Sequence, residues 1–208
     1  MISEFFQFLM HLDVNLLLLV QSYGIIIYPL LFIVLFCETG LVVAPFLPGD
    51  SLLFAAGTLA AVGALNLWIV LFILLFAAII GDSVNYSIGK FAGRKLIEKN
   101  YIKEAYIQKT EHFYEKYGNK TIVIARFMPI IRTFAPFIAG VGRMNYTKFL
   151  FYNILGAVMW VLLFVLGGFF FGNIPLIKEH FSLVILLIII ISIVPAVIDF
   201  VRYKFSKN

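Results

Sequence analysis

Besides the predicted C-terminal span at 181–201, two stretches of this chain are long and apolar enough to cross a lipid bilayer as single helices. One runs from Asn66 to Gly89 and is interrupted only by Asp82 and Asn85, and the other runs from Phe149 to Phe171. A spanning helix needs about 20 predominantly apolar residues, which both stretches provide. Because the composition is 62% hydrophobic and only 13% charged, an all-α integral membrane protein is predicted rather than a water-soluble domain.

The remaining segments complete a predicted single membrane domain over residues 1–208. Whether its first 22 residues span the membrane or lie on it is left open by their mixed apolar and polar character. The predicted order is an amphipathic lead-in (1–22), a first repeat (23–89), an amphipathic cytoplasmic segment (90–118), a second repeat (119–172) and a C-terminal spanning helix (181–201).

Positive charge is concentrated in two places. Eight of the sixteen Lys and Arg residues lie between Lys90 and Lys120, and three more, Arg202, Lys204 and Lys207, lie close to the C-terminus. Such a run could bind nucleic acid, but in a membrane protein it is typical of a cytoplasmic loop. We therefore expect residues 90–120 and the C-terminus to be cytoplasmic, and we expect no nucleic-acid partner.

Residues 125–142 read ARFMPIIRTFAPFIAGVG, an apolar stretch that carries two arginines and two prolines. If residues 119–142 crossed the membrane, three crossings would separate the two basic regions and place them on opposite sides. Pro129 and Pro136 each remove a backbone donor and disfavour a continuous helix. A re-entrant helix–turn–helix is therefore predicted, with a kinked spanning helix as the alternative.

An internal repeat supports the re-entrant interpretation. The pattern A-x-F-x-P occurs at 44–48 and at 125–129, and FAAG at 54–57 matches FIAG at 137–140. The first copy also contains helix-breaking residues, Pro45, Pro48 and Gly49. Together these features predict an inverted repeat with two opposed re-entrant helical loops plus spanning helices. Broken segments at corresponding positions of two halves point to the binding site of a transporter.

Five charged residues lie in or beside these apolar segments: Glu38, Asp50, Asp82, Arg126 and Arg132. A charge at the bilayer centre costs about 2.5–3.5 kcal/mol, so such charges should pair or face water. We expect Glu38 and Asp50 of the first repeat to lie opposite the two arginines. Asp82 is a further candidate for the charge network, placed near the opposite membrane interface.

Two interpretations of this network remain open. In the first, the charges form structural salt bridges that hold the loops together. In the second, Arg126 and Arg132 bind an anionic group at membrane depth, because the guanidinium stays charged and forks onto phosphate oxygens. The carboxylates could then compete with the phosphate or carry protons, since desolvation raises a carboxylate pKa.

Other motifs predict packing rather than chemistry. Gly89 and Gly93 are spaced for close helix packing, whereas Tyr86, Trp160 and the run Phe169–Phe171 are interpreted as interface or lipid-facing aromatics. The three histidines are scattered, and no hydrolase or zinc-protease motif occurs. Because the sequence shows no histidine or metal-ligand cluster, an enzyme acting on lipid phosphate is disfavoured. We expect no metal, no cofactor and no enzymatic activity.

Three long motifs together resemble the DedA family, whose members carry the VTT or SNARE-associated domain. They are FxPGDSLLFxxG (46–57) with E-x-G upstream (38–40), GDxxxYxxGKxxG (81–93) and RFxPxxRTFxPxxAG (126–140). The resemblance covers roughly residues 20–172 and departs mildly at Lys90, where arginine is commoner. It implies a bacterial inner-membrane protein with two opposed re-entrant loops.

The resemblance further implies lipid transport. Bacterial members are associated with recycling undecaprenyl phosphate, with flipping phosphatidylethanolamine, or with maintaining the proton-motive force. The family's membrane-embedded acids correspond to Glu38 and Asp50, and its essential arginines correspond to Arg126 and Arg132.

We therefore expect a lipid flippase whose partner is a lipid with an anionic headgroup, coupled to the proton-motive force. The alternative is a proton-coupled antiporter for small cations or drugs, in which the carboxylates are primary and the arginines structural. The composition leaves open a homo-oligomer, the exact lipid, the coupling ion and the direction of transport.

Overall fold

The computed structural model describes residues 12–41, 49–99 and 104–175. These residues contain helices and no β-strand, which confirms the all-α prediction for this part of the chain. The predicted helix 181–201 and the prolines at 45 and 48 lie outside the described residues. The helices are α1 (Leu12–Gly40), α2 (Gly49–Ala61), α3 (Leu67–Glu98), α4 (Glu104–Tyr117), a 3-10 turn (Gly118–Lys120), α5 (Thr121–Ala125), α6 (Pro129–Val141) and α7 (Tyr146–Gly172).

Two of the described helices have the length and apolarity of a membrane span. They cover Leu67–Gly93 in α3 and Tyr146–Gly172 in α7, each of 27 residues, and they coincide with the two apolar stretches of the sequence. Each helix is preceded by an asparagine that caps its first turn. The Asn66 side-chain oxygen accepts the Trp68 N–H at 3.0 Å, and that of Asn145 accepts the Thr147 N–H at 3.0 Å.

Two predicted boundaries differ from the structure. Helix α1 begins at Leu12, so residues 12–22 continue directly into the predicted span rather than forming a separate lead-in. Helix α3 extends to Glu98, well into the predicted amphipathic segment. Its last residues include Arg, Lys, Leu and Glu, which are good helix formers. The helix therefore continues after the apolar sequence ends.

The stretch with two arginines and two prolines forms a helix, a turn and a second helix. Helix α5 ends at Ala125, and Met128 is extended (φ −124°, ψ 106°), because a residue before proline is disfavoured in the helical region. Pro129 then begins α6, a position that needs no N–H donor. The helix–turn–helix is present as predicted, while its re-entry into the bilayer stays a prediction.

Pro136 does not break the chain, contrary to its assignment as a loop breaker. It lies inside α6, which continues to Val141. A proline in a helix removes one backbone donor, here the one that would reach the Arg132 carbonyl. Because α6 is buried along Ile131–Gly140, its packing maintains the helix despite that loss.

The chain divides into two compact units. Of the described residues, the first unit contains 12–31, 49–73 and 162–175, and the second contains 32–41, 74–99 and 104–161. Among the described helices, α1, α3 and α7 contribute residues to both units.

In the first unit, α2 lies directly against the C-terminal part of α7. A Cβ atom at Gly57 would stand 2.0 Å from the Val165 carbonyl oxygen, and one at Gly168 would stand 2.1 Å from that of Phe54. Glycine at both positions therefore allows the two backbones to touch. The Thr58 hydroxyl also lies 3.2 Å from the Gly168 carbonyl oxygen.

In the second unit, α6 crosses α3 with the same local geometry. A Cβ atom at Gly140 would stand 2.0 Å from the Tyr86 carbonyl oxygen, and one at Gly89 would stand 2.1 Å from that of Phe137. This matches the predicted packing role of Gly89. The repeated Phe-x-Ala-Gly motif thus forms an equivalent crossing in each unit, although the inverted orientation of the two copies stays a prediction.

Two adjacent glycines of α7 test the importance of this close approach. Gly168→Ala should lower the free energy of unfolding by about 1–3 kcal/mol, because the added methyl group overlaps the Phe54 carbonyl. A Cβ atom at Gly167 would instead stand 4.0 Å from Phe54 Cε2. Gly167→Ala should therefore be neutral or stabilising by up to about 1 kcal/mol. Thermal unfolding in detergent measures both, and equal effects would contradict the described crossing.

Candidate functional site

Among the described residues of the second unit, four charged side chains are buried. Arg126, Glu38 and Asp82 are each 2% exposed and Arg132 is 6% exposed. They form two ion pairs: Arg126 Nη2 donates to Asp82 Oδ2, and Arg132 Nη2 donates to Glu38 Oε1. Acid and arginine are therefore paired inside the protein, as charges in apolar sequence require.

The acidic partner of Arg126 differs from the expected one. Asp82 fills this role, whereas the sequence placed Asp82 near the opposite membrane interface. Asp50 lies in the first turn of α2, directly after Gly49, and belongs to the first unit. The physical reason is helical spacing: Asp82, Asn85 and Gly89 recur every three to four residues and share the face of α3 that packs on α6.

Asn85 connects three helices around the ion pairs. Its side-chain nitrogen donates to the Thr39 carbonyl oxygen at 3.0 Å and to the Thr133 carbonyl oxygen at 2.9 Å. Thr39 lies in the last turn of α1, where carbonyl groups lack helical partners. Asn85 thus fixes the end of α1, which carries Glu38, against α6, which carries Arg132.

Helix α7 presents a second polar face to Arg126. The Asn153 side chain accepts a hydrogen bond from Arg126 Nη2 and donates one to the Ile79 carbonyl oxygen at 3.1 Å. One turn further, a Cβ atom at Gly156 would stand 3.0 Å from Arg126 Cδ. Glycine at this position therefore leaves room for the arginine side chain.

Trp160 lies on the same face of α7 and contacts both arginines. Its ring centroid is 4.9 Å from Arg132 Cζ and 5.6 Å from Arg126 Cζ, within the range of cation–π attraction. The interpretation of Trp160 and Tyr86 as lipid-facing aromatics is wrong, because both are buried. Tyr86 instead donates to the Met144 carbonyl and stacks on Phe149 with centroids 4.5 Å apart.

Sequence reasoning therefore missed Asn153 and Trp160 and underrated Asn85. A signal for the asparagines existed, because a buried amide in an apolar span also needs hydrogen-bond partners. Asn153, Gly156 and Trp160 are also spaced by three and four residues, which places them on one helix face. Nothing in the sequence alone showed that this face meets the arginines.

Arg126 retains unused hydrogen-bonding capacity. Its Nη2 atom serves both Asp82 and Asn153, whereas the buried Nε and Nη1 atoms have no hydrogen-bond partner among the described residues. A guanidinium has five N–H donors in a rigid fork, of which Nε and Nη1 carry three. Arg126 can therefore donate to a further acceptor, such as an oxyanion.

Helix α4 supports the site from the side of α6. The Tyr114 hydroxyl donates to the Ala135 carbonyl oxygen at 2.9 Å. Burial raises the pKa of Tyr114, and the nearby negative charge of Asp82 adds to this effect. The tyrosine therefore stays protonated and keeps its donor. Within the described segments, no group of three or more His, Cys, Asp or Glu side chains is arranged to hold a metal ion.

Comparison with known proteins identifies a family and several relatives. The VTT domain family matches residues 47–170. The chain is 52% identical to Protein DedA of Escherichia coli (strain K12) over 203 residues, 95% of this chain and 93% of that protein. It is 35% identical to Inner membrane protein YqjA of the same strain over 157 residues, 74% and 71% of the two chains.

A membrane protein of Mycobacterium tuberculosis (strain ATCC 25618 / H37Rv) is 39% identical over 192 residues, which cover 89% of this chain and 84% of that protein. No solved structure matches the chain. The helical fold and these matches together define a VTT-domain membrane protein. The chain belongs to the DedA family.

Removing one member of the Arg126–Asp82 pair should destabilise the protein more than removing both. Arg126→Gln or Asp82→Asn should each cost about 3–5 kcal/mol, because a buried charge is left without its partner. The double variant should cost less than either single variant, and hence less than their sum, because no unpaired buried charge remains. Chemical unfolding in detergent measures the three values.

Glu115→Gln on the exposed face of α4 is the control for loss of a carboxylate, and it should change stability little because its contact with His112 is solvent-exposed. Strict additivity of Arg126→Gln and Asp82→Asn would show that the two residues are not coupled.

Proposed function

We propose that this protein moves a lipid with an anionic phosphate headgroup across the bacterial plasma membrane. Undecaprenyl phosphate, a polyprenyl carrier that must be recycled, and a phospholipid are the two lipid classes we consider. The observation that carries the proposal is the state of Arg126: it is buried, it is paired with a carboxylate, and its Nε and Nη1 donors have no partner among the described residues.

A purely structural salt bridge does not explain why Arg126 keeps buried donors without a partner among the described residues. Burying a polar donor without a partner costs about 1–3 kcal/mol, and more for a charged group. A binding function explains that cost, because the spare donors match the forked geometry of a phosphate. Arginine also remains charged in an apolar environment, whereas a lysine is easily neutralised there.

The helix break supports access of a headgroup to this position. Arg126 lies in the turn between α5 and α6, where the backbone leaves the helix. Non-helical backbone at membrane depth is tolerated where it is buried in protein or lines a polar cavity. In our proposal residues 119–142 and the corresponding part of the first repeat form opposed re-entrant loops, and the lipid tail stays in the bilayer.

The charge balance of the site favours coupling to protons. Two arginines and two acids in the second unit have a formal sum of zero. An incoming phosphate would make this cluster negative unless a carboxylate were displaced or protonated. We therefore propose that Asp82 and Glu38, with Asp50 as a further member of the network, couple lipid movement to the proton-motive force.

The proposed orientation follows from the basic segments. Residues 90–120 and the C-terminus face the cytoplasm, since membrane proteins retain clusters of Lys and Arg on that side. The proposal needs no covalent chemistry and no cofactor.

A second candidate is a proton-coupled antiporter for small cations or drugs. It is favoured by the observation that both guanidiniums already have a carboxylate partner. In that mechanism Asp82 and Glu38 exchange a proton for a cation, and the arginines only tune those carboxylates. Replacement of each arginine by lysine should then be tolerated.

Liposomes containing purified protein distinguish the two functions. Translocation of a fluorescent undecaprenyl phosphate analogue and of fluorescent phosphatidylethanolamine is compared with that of the uncharged polyprenol. Wild-type protein should move a phosphate-bearing lipid and not the polyprenol. Arg126→Gln should abolish this movement, and Arg126→Lys should slow it about 10- to 100-fold, since a charge-assisted forked contact is lost.

Arg143→Lys is the matched control, because Arg143 is exposed in the turn after α6. It should transport at the wild-type rate. Normal lipid movement by Arg126→Gln and Arg132→Gln at equal protein levels would overturn the proposal. Absence of lipid movement by the wild-type protein, together with proton-driven cation exchange that the lysine variants retain, would favour the antiporter.

A further inference from the structure

One face of helix α7 is shaped around the two arginines. Asn153 accepts a hydrogen bond from Arg126, Gly156 leaves room for its side chain, and Trp160 places its ring against both guanidiniums. Trp160 is 0% exposed. A single indole ring is thus shared by two cations that come from different parts of the α5–α6 segment.

The shared Trp160 ring offsets part of the electrostatic repulsion between the two arginines. Arg126 and Arg132 repel each other, and burial away from water strengthens that repulsion. Each arginine has a carboxylate partner at its tip, and the ring of Trp160 lies against its guanidinium group. An aromatic face attracts a cation, tryptophan does so most strongly, and the attraction grows when the pair is desolvated.

We propose that Trp160 is a positioning residue that holds the Arg126 and Arg132 guanidiniums in the geometry that binds an anionic headgroup. The identity of the ligand rests on the proposed function, whereas the coupling between the ring and the arginines does not. Trp160 orients the guanidiniums, and the guanidiniums contact the phosphate. Its replacement therefore weakens phosphate binding by releasing the arginines.

A matched variant at Phe149 distinguishes a positioning role of Trp160 from a purely structural role in packing. Phe149 is also fully buried on α7, but its ring stacks on Tyr86 rather than on an arginine. Phe149→Leu and Trp160→Leu each remove a buried aromatic ring from the same helix. Both should lower thermal stability, and only Trp160→Leu should change the affinity for an anion.

The first measurement is binding of dodecyl phosphate to the purified full chain in neutral detergent, with dodecanol as the uncharged control. We expect Trp160→Leu to raise the Kd about 10-fold and Trp160→Phe to raise it about 2- to 3-fold, because phenylalanine retains a weaker aromatic face. Phe149→Leu should bind with the wild-type Kd. If Trp160→Leu does not fold, the Kd of Trp160→Phe provides the test.

The second measurement uses tryptophan fluorescence to detect the contact between Trp160 and the two arginines in the absence of a ligand. The sequence contains two tryptophans, so Trp68→Phe leaves Trp160 as the only source of tryptophan emission. In that background Arg132→Gln and Arg126→Gln should each change the intensity and wavelength of the emission, whereas Arg143→Gln should not. Dodecyl phosphate should also change the emission, and dodecanol should not.

The outcomes separate this inference from the proposed function. If wild-type protein binds dodecyl phosphate and Trp160→Leu binds it equally well, Trp160 is not a positioning residue, although phosphate binding stands. If wild-type protein does not bind dodecyl phosphate but both arginine variants change the emission, phosphate binding fails and the arginine–ring coupling stands. Emission that is indifferent to Arg126 and Arg132 overturns the inference outright.

Discussion

The need to neutralise buried charge governs the second unit of this protein. Two guanidiniums and two carboxylates lie almost completely out of contact with solvent, and desolvating each of them costs several kcal/mol. That cost is offset only when each charge meets a partner at close range. The end of α1, the middle of α3, the turn after α5 and the first turn of α6 are therefore held in a single arrangement.

Close packing of the helices brings the charged side chains near enough to pair. In a bilayer the hydrophobic effect does not drive helices together, so association depends on van der Waals contact, interhelical hydrogen bonds and lipid entropy. Glycines at the crossings of α3 with α6 and of α2 with α7 bring backbones into contact. Gly156 acts differently, because its missing side chain makes room for Arg126. Small residues thus determine where a long arginine side chain can lie.

The same features connect structure with the proposed lipid movement. The cluster contains equal numbers of positive and negative charges, yet Arg126 keeps donors that its partners among the described residues do not use. Protonation of a carboxylate would release part of an arginine for a phosphate. In the proposed mechanism Trp160 would hold the arginines during such an exchange, because cation–π attraction does not occupy their N–H donors.

Properties of single segments could be predicted from the sequence. The apolar runs in α3 and α7, the break before Pro129, the packing role of Gly89 and the pairing of acids with arginines all follow from composition, backbone chemistry and helical spacing. Those factors act within a few residues, so they are visible in the chain itself. The helix boundaries could not be predicted in the same way: α1 starts earlier and α3 ends later than the change in hydropathy indicates, and α6 accommodates Pro136.

The tertiary structure decided which groups meet. Asp82 pairs with Arg126, and the face of α7 that carries Asn153 and Trp160 packs against the arginines. Several acids and aromatics were equally suitable as partners, because charge and ring chemistry are the same at each position. Only the rotation and crossing of the packed helices selects among them, and that geometry depends on contacts between residues distant in sequence.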